Sequence, residues 1–317
     1  MNVLVTGGCG YIGSVLLEQL RTAPEIERIV VLDDCSSGSP RALLGSLDST
    51  VSFVRGDVRD RAVVDRAIEG CETVIHLAAV TGAERSNDRR EHTLSINRDG
   101  TETVLAASGA HNVSSFVLAS SCNVYGAIEG AVDERTTPNP LNPYAESKLE
   151  SESLLVEAGD THGFETTALR LATNYGLAPG IRFNLVVNRF VFQALTGSPI
   201  TVYGDGTNWR PFIHVEDAAR AYAHAAIHPD DWEQPVYNVG DPDENYQIKE
   251  IASLVDTAIG GCNVTYLEDK QPGPSYNVRF DQLQSTGFVP KRTLRDGIAE
   301  LATAFQATPR THHPTPQ

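Results

Sequence analysis

Tyr144-Ala-Glu-Ser-Lys148 places a phenol and an ammonium four residues apart. On a helix that spacing puts both on one face. A free tyrosine titrates near pH 10 and is a poor base at neutrality. A neighbouring ammonium, or any second cation, favours the phenolate. Lowering the phenol by about three units takes about 4 kcal/mol of differential interaction. The product would be a general base near neutral pH. Alone, the spacing also occurs on solvated helix faces, so its meaning depends on what surrounds it.

A second group of chemical interest is Ser120-Ser121-Cys122-Asn123-Val124-Tyr125-Gly126, which follows the apolar run Ser115 to Ala119. Open α/β sheets present ligands at the carboxyl ends of their strands. Ser121 there can share a hydrogen bond with a substrate hydroxyl and relay its proton; otherwise it is a turn serine satisfying local backbone. Cys122 can donate or accept a proton if its thiol is shifted; otherwise it is a small packing residue.

These groups need something to hold them, and the opening stretch says what. Val3 to Val5 reads as a buried strand, Gly7-x-x-Gly10-x-x-Gly13 as a turn, and Tyr11 to Arg21 as an amphipathic helix. Gly7 allows the tight turn, Gly10 a close backbone approach to a pyrophosphate, and Gly13 close packing of the helix on the strand. The amides at Tyr11, Ile12 and Gly13 sit at the positive end of that helix, where a pyrophosphate binds. A second strand, Ile29 to Leu32, ends in Asp33, which suits adenosine ribose hydroxyls and repels a 2′-phosphate. The pattern indicates an NAD-type dinucleotide site, and its oxidised nicotinamide would be the second cation beside Tyr144.

The bulk properties are those of an ordinary globular protein. The 317 residues are 41% hydrophobic and 21% charged, enough for a large core. A net charge of −16 argues against nucleic acid and anionic membrane as partners. No run reaches the length of a membrane span. The N-terminus reads as a core strand rather than a signal peptide. The five cysteines, 9, 35, 71, 122 and 262, are scattered without metal-type spacing. They are read as reduced thiols in a cytoplasmic protein that holds no metal.

Strands and helices alternate through the first half. Further strands are expected at Val51 to Arg55, Thr73 to Ala78, Ser115 to Ala119 and Thr166 to Leu171. Helices are expected at Arg61 to Glu69, Thr93 to Ala110 and Tyr144 to Ala158. Asp57, after the third strand, can reach an adenine amino group. Ala79-Val80-Thr81-Gly82, after the fourth, is a small-residue turn suited to lying against a cofactor. The fold class is therefore α/β, a Rossmann-type doubly wound parallel sheet. Beyond Leu171 the pattern loosens, with helices at Leu185–Leu195, Val215–Ile227, Ile248–Ile259 and Leu294–Ala304 and short strands at Ile200–Tyr203, Val236–Val239 and near Val264. We expect a dinucleotide-binding domain over 1–172, with 212–240 returning to it. A smaller, interleaved C-terminal α/β lobe would occupy 173–307 and hold substrate, and 308–317 would form a disordered tail.

Taken together, Gly7, Gly10 and Gly13, Asp33, Asp57-Val58, Leu77-Ala78-Ala79, Asn97, Ser121 with Val124-Tyr125-Gly126, and Tyr144-x-x-x-Lys148 resemble the extended short-chain dehydrogenase/reductase family. Arg210-Pro211-Phe212-Ile213-His214-Val215-Glu216-Asp217 resembles its nucleotide-sugar epimerase/dehydratase branch, and the likeness runs to about Ala304. It implies tightly held NAD and transient oxidation of a sugar carbon. Cofactor contacts would come from the residues just named, with Tyr11, Ile12 and Lys148.

On the substrate side, a nucleoside diphosphate-sugar would meet Thr81, Ser121 and Asn123. Asn174 resembles the branch's contact to diphosphate and sugar, and Arg210 its diphosphate grip through a bidentate fork. Asn184-Leu185 opens a helix whose amides suit phosphate. Tyr203 and Phe212 could flank the base. Many relatives carry a second arginine near Pro272-Gly273; here Arg279 is the nearest candidate. The 4,6-dehydratases of the branch carry an Asp-Glu pair where this chain has Cys122-Asn123, and an asparagine cannot transfer a proton.

The expected activity is C4 epimerisation of a nucleotide-sugar through a 4-keto intermediate, by Ser121, Tyr144 and Lys148. Alternatives are a reductase, a dehydratase using Cys122, or a non-catalytic NAD(H) sensor. The resemblance also implies a homodimer through the two long helices.

Overall fold

A computed structural model describes residues 1–44, 48–82 and 86–306. The expected tail at 308–317 lies outside the described residues. The first half runs β1 (Asn2–Thr6), α1 (Tyr11–Thr22), β2 (Arg28–Asp33), β3 (Val51–Arg55), α2 (Arg61–Ile68), β4 (Thr73–His76), α3 (Gly100–Ala110), β5 (Ser115–Ser121), β6 (Ala131–Val132), α4 (Pro143–His162) and β7 (Glu165–Leu171). The second half runs β8 (Thr173–Tyr175), α5 (Val186–Leu195), β9 (Ile200–Tyr203), β10 (Trp209–His214), α6 (Val215–Ile227), β11 (Val236–Val239), β12 (Asn245–Gln247), α7 (Ile248–Ile259), β13 (Val264–Leu267), β14 (Asn277–Val278) and α8 (Leu294–Gln306).

Seven strands form one parallel sheet in the order β11-β7-β5-β4-β1-β2-β3. The order reverses beside β1, which makes the sheet doubly wound and opens a crevice at its carboxyl edge. The inner strands β1, β2 and β4 are mainly apolar, buried runs because both faces are covered, while the edge strand β3 is partly exposed. On one face α1 packs on α6, burying Leu16, Leu17, Leu20, Ala218 and Tyr222. On the other, α2, α3 and α4 bury Val64, Ile68, Val104, Leu105 and Leu155. Each large apolar side chain of this kind contributes about 1.5–3 kcal/mol.

A separate apolar core, with Val187, Phe190, Val202, Ile251, Ile298 and Leu301 among its members, joins α5, α7, α8 and β9. β8, β10 and β12 form a small sheet beside it. β11 belongs to the main sheet, pairing in register with β7 from Val236↔Ala168 to Val239↔Leu171.

Two helices position the chemistry. α4 begins at Asn142, whose side chain accepts from the Ala145 amide at 2.9 Å, with Pro143 in the first turn. It ends at Gly163, left-handed at φ 78°, whose amide closes on Gly159. The helix before β5 starts earlier than its periodicity suggests. Arg90–Leu94 is α-helical, Ser95–Asp99 is a π-helical stretch, and α3 follows without a break. Such wide turns favour functional sites, and this one carries Asn97 inward, 1% exposed.

Candidate active site

The glycine-rich turn joins β1 to α1 and is built against β4. Gly7 has φ +72°, and a Cβ there would lie 2.7 Å from the Ala78 amide nitrogen. A Cβ on Gly13 would lie 2.5 Å from the Gly7 carbonyl and 2.6 Å from the Gly8 Cα. The close approach Gly13 permits is therefore to the turn rather than to the strand. Gly10 caps α1 without a side chain to close its first amides, so those of Tyr11, Ile12 and Gly13 are presented for an anion. The Tyr11 phenol goes elsewhere, donating to the Gly176 carbonyl at 2.6 Å.

Asp33 ends β2 and accepts from the Cys9 amide at 2.9 Å and the Cys35 amide at 2.7 Å. Burial raises its carboxyl, while those two amides pull it back down. Ligand-type atoms of Cys9, Asp33 and Cys35 lie within 4.8 Å of one another, a grouping the sequence spacing hides. All five cysteines are free thiols. Asp57 is paired with Arg59 at 2.5 Å and held low by it. Val58 is buried against the start of α3. Leu77 and Ala78 hydrogen-bond to Thr6, and Ala78 and Ala79 follow β4 along the crevice. A turn with open amides, a ribose-suited carboxylate and small residues together fit an NAD-type dinucleotide.

Ser121 ends β5, and α4 faces it with Tyr144, Lys148 and Glu152 at one-turn intervals. The Lys148 ammonium lies 6.0 Å from the Tyr144 ring centre and donates to the Ala119 carbonyl at 2.6 Å. Burial pushes Lys148 down to about 8, opposed by Glu152. Tyr144 is pushed above its usual range by burial, against a hydrogen bond from Ser121 and the positive charge of Arg182. The expected depression of the phenol by Lys148 is thus not what the protein alone produces. Desolvation outweighs the nearby charges, and Lys148 is engaged by a main-chain carbonyl.

Beneath the site lies a buried ionic network. Arg170 grips Glu152 through Nε at 2.9 Å and Nη2 at 2.7 Å, and donates to the Tyr125 hydroxyl at 3.0 Å. Tyr125 donates to Asn238 at 2.7 Å, and Ser120 donates to Glu152. Asn238 sits on β11, so the edge strand supports the turn that follows Ser121. Cys122 is fully buried, with Sγ 3.1 Å from the Arg170 carbonyl, and burial pushes its thiol well up. This corrects the proton-transfer expectation: Cys122 is a packing residue of this network.

The substrate-side residues separate. Asn174 donates to the Ala172 carbonyl at 3.1 Å and leaves its Oδ1 buried without a partner. Arg210 is half-buried, stacked 4.6 Å from the Tyr276 ring centre, and donates to the Trp209 carbonyl at 3.1 Å. Burial lowers its pKa, and no carboxylate compensates it among the ion pairs of the described residues. Asn123 bridges Ser121 and Tyr276 at 3.1 and 3.3 Å rather than standing open. Thr81 is exposed. Asn184 is exposed and accepts from Arg182 at 3.3 Å. Leu185 opens α5 with no side-chain cap. Tyr203 lies under the Arg189 guanidinium at 5.1 Å.

One expectation fails. Phe212 is fully buried in the second core, 6.3 Å from the Tyr175 ring, and cannot flank a base. Arg279 is 58% exposed and paired with Asp281 at 3.1 Å. Sequence reasoning also missed residues. Arg182 acts electrostatically on Tyr144. Asn188, fully buried, accepts from the Gly176 amide at 3.0 Å and donates to the Arg182 carbonyl at 3.1 Å. Its polar side chain on the apolar face of α5 was the available signal.

Residues 3–240 match the NAD dependent epimerase/dehydratase family, and the chain belongs to that family. It is 31% identical over 304 residues to the low-salt glycan biosynthesis protein Agl12 of Haloferax volcanii, covering 94% of this chain and 96% of that protein. It is 31% identical to a dTDP-glucose 4,6-dehydratase of Streptomyces niveus, over 96% of this chain and 93% of the relative. Among solved structures, it resembles the UDP-glucose 4-epimerase of Thermus thermophilus in complex with NAD, with TM-score 0.83, 28% identity, and coverage of 97% of this chain and 100% of that one. It also resembles the UDP-glucuronic acid 4-epimerase of Bacillus cereus in complex with UDP-glucuronic acid and NAD, with TM-score 0.85, 26% identity, and coverage of 96% and 99%. The family is NAD-dependent and its members act on nucleotide-sugars as epimerases or dehydratases. Among the described residues no helix is long and apolar enough to cross a membrane.

Proposed function

We propose that the protein is an NAD-dependent nucleotide-sugar epimerase acting at C4. The observation that carries this reading is the composition of the catalytic turn. Ser121, Tyr144 and Lys148 converge there, while Cys122 is buried and Asn123 is a neutral amide. Loss of water needs a second acid and base, and this turn offers neither.

The glycine-rich turn, Asp33, Ala78, Ala79 and the Lys148 ammonium would hold the dinucleotide, and Val80, fixed by Asn97, would line it. NAD⁺, when bound, supplies the reversible oxidation of the sugar carbon and a second positive charge beside Tyr144. Tyr144 accepts the proton of the sugar hydroxyl, and Ser121 donates a hydrogen bond to the same oxygen. With Lys148 held by the Ala119 carbonyl, the added positive charge of the bound cofactor would be what favours the phenolate. A keto sugar that turns over in the site before it is reduced leaves with the carbon inverted. Arg210 would meet the diphosphate as a guanidinium that no carboxylate of the described residues pairs with, and the unpaired Asn174 Oδ1 suits a sugar hydroxyl. A homodimer through α3 and α4, which lie side by side on one face, belongs to the same reading.

The test is to incubate the purified protein with a panel of nucleotide-sugars and follow the products by NMR, with mass spectrometry of what co-purifies. The C4 epimer is expected, without net consumption of cofactor, and Tyr144→Phe should lower kcat by about 10²–10⁴. A product that has lost water would instead make the protein a dehydratase, and full turnover by Tyr144→Phe would remove the mechanism.

A further inference from the structure

Ser121 can orient its hydroxyl in more than one way, and only one orientation helps Tyr144. The Ser121 oxygen accepts from the Asn123 amide nitrogen at 3.2 Å and from Asn123 Nδ2 at 3.1 Å. A hydroxyl oxygen has two acceptor sites and one proton. With both acceptor sites filled, the remaining role of Ser121 is to donate.

The Asn123 side chain is itself fixed from the far side. Tyr276, 2% exposed, donates its phenol to Asn123 Oδ1 at 3.3 Å. That leaves Nδ2 facing Ser121. The Tyr276 amide donates to the Trp209 carbonyl at 3.2 Å, and the Arg210 guanidinium lies 4.6 Å over its ring. The row therefore runs Arg210, Tyr276, Asn123, Ser121, and brings together separated parts of the chain.

We propose that Asn123 and Tyr276 are positioning residues that fix the direction of the Ser121 hydrogen bond, so that its single proton points to Tyr144 in the free protein and to the sugar oxygen once substrate is bound. The sugar oxygen as recipient rests on the epimerase reading; the donation to Tyr144 does not. A carboxylate at 123 would accept from Ser121 and reverse the row, so the neutral amide is what the geometry requires. The arginine proposed to meet the diphosphate rests on the ring that orients the serine, which ties phosphate recognition and proton transfer to one structure.

The experiment reads the Tyr144 pKa directly, as the tyrosinate absorbance difference between each protein and the same protein carrying Tyr144→Phe. The groups facing Tyr144 are Lys148 on its own helix, Cys122 on the turn, Arg182, Tyr222 on α6 and Tyr276. None of these but Tyr276 is altered. Asn123→Asp should raise the Tyr144 pKa by at least about one unit and lower kcat about 100-fold, with KM within about threefold. Because Asp also adds charge, Tyr276→Phe decides. It is nearly isosteric and uncharged, and should move the pKa and the kcat pH profile in the same direction, with kcat down about tenfold. An unmoved Tyr144 pKa in Tyr276→Phe, or a raised KM with unchanged kcat in both variants, would overturn the proposal. Should no nucleotide-sugar be epimerised while the pKa moves as stated, the functional reading fails and the positioning row stands.

Discussion

Asn97 closes both backbone groups of Val80: its Oδ1 accepts from the Val80 amide at 2.7 Å and its Nδ2 donates to the Val80 carbonyl at 3.0 Å. The same Nδ2 reaches Ser147 on α4 at 2.9 Å. A buried amide thus acts as a strand partner for the chain leaving β4. Asn97→Ala would leave two backbone groups unpaired and should cost about 2–4 kcal/mol. The loss is measured by denaturant unfolding. NAD retained through gel filtration should fall in parallel, because the turn at Val80 lines the proposed cofactor crevice.

Gly13→Ala addresses the dinucleotide turn directly. The added methyl would meet backbone at 2.5–2.6 Å, from the Gly7 carbonyl and the Gly8 Cα, with no flexible side chain to yield. The turn must open. The expected result is a protein that folds with reduced stability and purifies with little or no bound NAD. Undiminished cofactor content by mass spectrometry would contradict the assignment of this turn.

The Glu152–Arg170 pair predicts non-additive stability. Both side chains are almost wholly buried, at 5% and 6% exposed. Arg170→Met or Glu152→Met alone leaves an uncompensated buried charge and should cost about 3–5 kcal/mol. The double variant removes both charges and should recover much of that loss. Thermal or denaturant unfolding of the four proteins checks the cycle.

Arg210→Met should separate stability from binding. The guanidinium is half-buried and forms no ion pair with a carboxylate among the described residues, so removing it should leave stability unchanged or raised. KM for the nucleotide-sugar should rise at least about tenfold, since a charge-assisted bond to a diphosphate contributes about 1.5–3 kcal/mol. Equal KM values in the two proteins would place the diphosphate elsewhere.

His76 predicts a pH effect of definite sign. It lies between Thr6 at 2.8 Å and Thr101 at 3.1 Å, and burial pushes its imidazole down to about 3 from 6.5. The unfolded chain therefore binds a proton that the folded chain refuses between those values. Stability is full above pH 6.5 and falls as pH drops toward 3, by about 1.4 kcal/mol per unit from this residue. In His76→Asn the stability–pH slope over that window should be shallower by about one proton.

The main sheet was legible because its inner strands are buried on both faces. Runs such as Val3–Val5 and Thr73–His76 are fully buried, whereas the edge run Val51–Arg55 was legible from its spacing and β-branched residues although Ser52 and Arg55 are exposed. Ser121, Tyr144 and Lys148 were readable because helical spacing and a strand end are local properties. What could not be read depends on burial and on distant partners. Cys122 and Asn123 are adjacent, yet one faces the core and the other Tyr276, 153 positions away. Phe212 and Arg279 have residue types suited to a ligand, but one fills the second core and the other pairs with its neighbour but one. The π-helical stretch at Ser95–Asp99 leaves no periodic mark long enough to detect.

The hydroxyl of Tyr11 reaches across 165 positions to Gly176, and Asn188 fastens the same segment through Gly176 and Arg182. A Cβ on Gly180 would lie only 3.4 Å from Gly10, so this segment spans the glycine turn itself. If the dinucleotide sits on that turn as proposed, this span would lie across its way out, and its release would call for the buried Tyr11–Gly176 contact to open. Slow cofactor exchange would then follow from how the chain is routed over the turn.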